Sequence, residues 1–92
     1  MVMVTDRARA RLAQLKTSAH IDEPGVGLRL ELEPAVEGDF VLSPDRPEVG
    51  DHVVEDAGAK ILLIDEALAR LLANATIDYE ATDTGLHLIV KH

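Results

Sequence analysis

Three stretches of the chain alternate between apolar and polar residues with the period of a β-strand. In residues 28–33, Leu28, Leu30 and Leu32 point one way and Arg29, Glu31 and Glu33 the other. That predicts a strand with one buried face. In residues 76–81, Ile77, Tyr79 and Ala81 share the inner face while Asp78 and Glu80 face out; in residues 86–90, Leu86, Leu88 and Val90 face in, opposite His87. Residues 59–64 are apolar except for Lys60, a pattern that suits a strand covered on both faces. Short strands over residues 1–4, 39–43 and 52–55 complete the set. Gly38 turns the chain between residues 28–33 and a returning strand with Phe40 and Leu42 inward, and Ala57-Gly58 turns it before residue 59.

Two segments follow the helical period instead. Ala8, Leu12 and Leu15 fall at i, i+4 and i+7 behind Thr5, a good N-cap, with Asp6 in the first turn and Lys16 in the last. Asp65 caps a second, shorter helix with Leu68, Leu71 and Leu72 as its inner face and Asn74 as its stop. Residues 20–27, containing Pro24-Gly25, and residues 43–50, with two prolines and a glycine, read as loops. Strands in runs with two helices inserted predict a mainly β, α+β fold of six or seven short strands, largely antiparallel. A sheet folded back on itself leaves the shortest exposed edges. Residues 1–92 form one domain.

Composition adds constraints. The 92 residues hold no cysteine, two aromatic residues (Phe40 and Tyr79) and a net charge of −8. Without disulfides a domain this small relies on tight packing and self-association, so a homodimer is expected. The charge is uneven: residues 22–56 carry eleven acids against Arg29 and Arg46. Such a middle repels nucleic-acid phosphates and anionic membranes, and neither is expected as a partner. The longest unbroken aliphatic run, residues 61–64, is far too short to span a bilayer, and the N-terminus lacks the pattern of a secretion signal. The cytoplasm is the expected compartment.

Candidate chemistry is sparse. His52 lies among Asp51, Glu55 and Asp56, and one imidazole with carboxylates can hold a divalent ion. Strand geometry sends His52 and Glu55 to opposite faces, however, and an exposed polar strand end is the competing reading. His87 and His92 together form a second metal candidate, at the end of the sequence. Arg7 and Arg11 share a face of the first helix and are candidates for docking an acidic partner; a solvated helix face is the plain alternative. Glu31 and Glu33 lie on one strand face with no partner base. No catalytic or phosphate-binding motif is present, so neither an enzyme nor a bound cofactor is expected.

Several segments, taken in order, resemble a known family. Gly27-Leu28-Arg29-Leu30, Gly50-Asp51 with Val53-Val54-Glu55-Asp56, Gly58-Ala59-Lys60 with Leu63, Asp65 and Leu68, and Ile77-Asp78-Tyr79 with Gly85 are similar to the HesB/IscA family, the A-type iron–sulfur cluster carriers. The resemblance implies a folded-over mixed sheet, a pseudo-barrel sandwich with an N-terminal helix and a short second helix. It also implies a dimer or larger assembly and a place in iron–sulfur cluster assembly. The family ligates its cargo with one cysteine in the loop after the strand matching residues 28–32 and with a Cys-x-Cys pair in a C-terminal tail. Val36 or Glu37 stands where the first cysteine would be, and His92 is reached near where the tail would begin. No ligand position carries over. Iron in such clusters takes soft thiolate donors, so the resemblance implies a cysteine-free, degenerate member acting by protein contacts, its partner drawn from the iron–sulfur assembly machinery. The alternative is an iron or zinc carrier with His and carboxylate ligands.

Overall fold

The structure, a computed structural model, describes residues 2–32, 40–82 and 85–91. Chain order is β1 (Met3–Val4), α1 (Asp6–Ser18), β2 (Gly27–Leu32), β3 (Phe40–Asp45), β4 (His52–Asp56), β5 (Ala59–Ile64), α2 (Glu66–Leu71), β6 (Thr76–Thr82) and β7 (Gly85–Lys91). Two sheets result, one in the order β1-β6-β7 and one in the order β3-β2-β5-β4.

Each sheet mixes parallel and antiparallel pairs. β1 runs parallel to β6, and β2 parallel to β5; the other ladders are antiparallel. Three of the five ladders are antiparallel, as the strand runs predict, and the two short parallel ones give each sheet the mixed character that the family resemblance implied. The cause is the connection over residues 46–51. It carries the chain from one edge of the larger sheet to the other, so β3 and β4 run the same way and β5 returns beside β2 in parallel.

Local chemistry sets the element ends. The Thr5 hydroxyl accepts from the Ala8 N–H at 3.2 Å, opening α1. Asp65 does the same for α2, accepting from the Leu68 N–H at 2.8 Å. The β4–β5 turn puts Ala57 at φ 51° and Gly58 at φ 82°, the positive φ at both central positions that tight hairpins demand. β3 runs on to Asp45, through Pro44, beyond the expected loop boundary at residue 43. Pro44 is tolerated because β3 is an edge strand.

The core is aliphatic. Leu12 from α1, Leu28 and Leu30 from β2, Ile61, Leu62 and Ile64 from β5, Leu68 and Leu72 around α2, and Ile77 from β6 are all buried together. Residues 61–64 are buried on every side, as their unbroken apolar run predicts. α1 packs against β6 of one sheet and against β5 and β2 of the other, tying the two together.

Candidate functional site

Alternation fails at two charged residues, Arg29 and Asp78, and a third charged residue, Lys16, is buried on a helix. Arg29 was expected to face solvent, but only 10% of its side chain is exposed. Its Nε donates to Asp45 Oδ2 at 2.6 Å, while Nη1 and Nη2 grip both oxygens of Asp51 at 3.1 and 2.7 Å. Nη2 also reaches the Arg46 carbonyl at 3.3 Å. Asp51 in turn accepts from the Glu48 N–H at 2.7 Å. One guanidinium thus pins both ends of the connection over residues 46–51. Hydrogen bonding to Arg29 holds the carboxyls of Asp45 and Asp51 below the usual range, and the two carboxylates raise the already high pKa of Arg29.

Asp78, also expected to face out, is buried. It accepts from Arg7 through both carboxylate oxygens and from the Thr5 hydroxyl at 2.7 Å, with Lys91 Nζ 3.5 Å away. The Arg7 bond, followed by the Thr5 bond, pushes its carboxyl well below the ordinary value. Lys16 is buried at the far end of α1, where its ammonium donates to the Lys60 carbonyl at 2.7 Å and to the Glu23 carbonyl at 3.4 Å. These three charged residues brace the fold. They came from positions that the sequence marks as polar or helix-terminal, and no spacing signal distinguishes them from solvated neighbours.

The other candidates are scattered. His52 and Glu55 border a cleft of about 370 Å³ between β1 and β4, together with Met3, Val4 and Arg9. Arg9 Nη1 donates to the Glu55 carbonyl there at 2.8 Å, and Glu55 Oε1 lies 3.7 Å from Lys60 Nζ. Asp56 borders a different cleft, beside Lys16, Ile21 and Pro24. Among the described residues, no group of three His, Asp or Glu side chains is placed to share a metal ion. Of the second metal candidate, His92 lies outside the described residues, and for His87 the description covers only the backbone, opposite Glu80 in the β6–β7 ladder. Glu33, Val36 and Glu37 also lie outside them. Arg7 is committed to Asp78, and Arg11, half-buried, donates to Gln14 at 3.1 Å.

A groove of about 280 Å³ opens instead where β2 meets α2, lined by Glu31, Leu32, Asp65, Ala67, Leu68 and Leu71. Leu32 shares its strand face with buried Leu28 and Leu30 yet is 50% exposed, and Leu71, expected on the inner face of α2, is 71% exposed. The helix turns Leu68 and Leu72 inward, and Leu71, one position short of Leu72, points away. Among the described residues, nothing covers these two side chains at this end of the core.

No model of a known protein family matches the sequence, and no curated protein does. The folded chain does match solved structures. SufA of Escherichia coli, involved in biosynthesis of iron–sulfur clusters, superposes with a TM-score of 0.66 at 19% identity, over 99% of this chain and 84% of that one. IscA with a [2Fe–2S] cluster gives 0.65 at 19%, over 100% and 85%. A protein from Aquifex aeolicus, solved by NMR in solution, gives 0.69 at 26%, over 99% and 90%. The chain has the HesB/IscA-type fold of the A-type iron–sulfur carriers, and its 92 residues contain no cysteine. Among the described residues, no helix is long and apolar enough to cross a membrane.

Proposed function

We propose that this chain is a cysteine-free relative of the A-type carriers that serves iron–sulfur cluster assembly through protein contacts, not by carrying a cluster and not as an enzyme. One observation carries the reading: a carrier fold over the whole chain, joined to a sequence without thiols. A cluster is held by thiolates, with imidazole an occasional substitute on one iron. The residues present do not fit that cargo. Three of the carboxylates are also spent on the fold, Asp45 and Asp51 on Arg29 and Asp78 on Arg7. The reading also places the protein in the cytoplasm as a homodimer, alongside the assembly machinery.

Anaerobic reconstitution with ferrous iron and sulfide tests it. After desalting, the protein should show no visible charge-transfer absorption; a retained cluster spectrum overturns the proposal. Calorimetric titration with zinc and ferrous iron addresses the His and carboxylate alternative. That alternative has less support, because His52 and Glu55 border one cleft and Asp56 another.

A further inference from the structure

We infer that the groove between β2 and α2 docks a basic amphipathic segment of a partner protein, the apolar side chains entering over Leu32 and Leu71 and the cationic ones meeting Glu31 and Asp65. This rests on the protein-contact reading above and names the surface and the chemistry that it uses.

Two aliphatic side chains meet water at this end of the fold. Leu32 continues the buried face of β2, and Leu71 projects beside it. Both are large aliphatic side chains held in water, and burying them against a partner's apolar side chains is favourable. The rim decides what kind of partner. Both charged residues lining the groove are acids, Glu31 and Asp65, and both are exposed. Asp65 spends one oxygen on the Leu68 N–H, and Glu31 is 3.5 Å from the Ser43 hydroxyl, so each keeps accepting capacity for a cation. The one cation of α2, Arg70, is already paired with Glu66. An apolar floor between carboxylates matches a segment that interleaves Leu-type residues with Lys or Arg. A second copy of this chain fits less well. A twofold contact through the groove would set one acidic rim against the other, on molecules that each carry −8.

The test uses the intact chain and three synthetic helices as probes: Leu/Lys amphipathic, Leu/Glu amphipathic, and Ala/Lys without large apolar residues. In NMR titrations the Leu/Lys helix should shift the amides of Leu32, Ala67, Leu68 and Leu71. Leu71→Asp, at a position already in solvent, should weaken binding by about tenfold or more, and the Leu/Glu and Ala/Lys helices should bind far less. Shifts centred elsewhere, equal binding of the Ala/Lys helix, or unchanged affinity in Leu71→Asp overturn the inference. So does a dimer, seen by sedimentation, that Leu71→Asp dissociates, because the occupant is then a second copy. These readouts do not depend on cluster chemistry. A reconstituted cluster would remove the functional reading without touching the groove, and a silent groove would leave the cysteine argument standing.

Discussion

Arg29 and Asp51 meet inside the protein, in a two-pronged ion pair with hydrogen bonds of 3.1 and 2.7 Å, and only 3% of the Asp51 side chain reaches solvent. Arg29 stands on a central strand, and Asp51 ends the connection that crosses the sheet. The pair therefore fixes the path that makes β5 parallel to β2. Removing one partner strands a charge in a dry site.

Arg29→Met should destabilise the fold by about 3–5 kcal/mol, the usual cost of breaking a buried pair from one side. Asp51→Asn should cost less, since the amide oxygen still accepts. Urea unfolding measures both. A change within about 0.5 kcal/mol for Arg29→Met, the range typical of surface substitutions, would mean that the pair is not buried in solution.

Stability should fall in acid. Asp45, Asp51 and Asp78 all have folded pKa values below their ordinary value of 3.8. The unfolded chain therefore takes up protons first as pH drops, and each group's contribution, complete above that value, is lost below about pH 4. Thermal midpoints should be level near neutrality and decline below that point. Asp78→Asn should be less stable at pH 7 and decline less steeply. Parallel curves for the two proteins would contradict the Arg7–Asp78 assignment.

Gly27 and Gly58 should respond oppositely to a side chain. A Cβ on Gly27 would lie 3.1 Å from Leu63 Cγ and 3.3 Å from its Cδ2, inside a packed core. Gly27→Ala should cost about 1–3 kcal/mol by overpacking. Gly58 sits at φ +82° with open space around it. Gly58→Asn should be nearly neutral, because asparagine tolerates left-handed backbone. Chemical denaturation midpoints give both values.

Lys16→Met keeps the aliphatic stem but removes the donor to the Lys60 and Glu23 carbonyls. An expected loss of about 1–3 kcal/mol follows from losing the charge-assisted hydrogen bond to the Lys60 carbonyl; the Glu23 carbonyl still accepts from the Val26 N–H at 3.1 Å. Hydrogen exchange should quicken first around residues 23–26 and 60, where α1 is tied down. Uniform quickening across the chain would instead point to a global role.

The element order, both helix caps, the β4–β5 turn and the aliphatic core can be read from the residues alone. Each rests on local chemistry or on a short period: two residues for Leu28 and Leu30, nearly four for Ala8 and Leu12, a hydroxyl at Thr5 and a carboxylate at Asp65. The absence of thiols, and with it the argument against a bound cluster, also needs nothing beyond the sequence. Tertiary structure alone decided the rest. Alternation placed Arg29 and Asp78 in solvent because period counts faces, and a face is dry or wet according to what another segment lays over it. The connection over residues 46–51 lies along one such face, and the start of α1 along the other. Leu32 and Leu71 show the reverse case, apolar positions on predicted inner faces that no described segment covers. That mismatch, invisible to any pattern of residues, is what opens the groove.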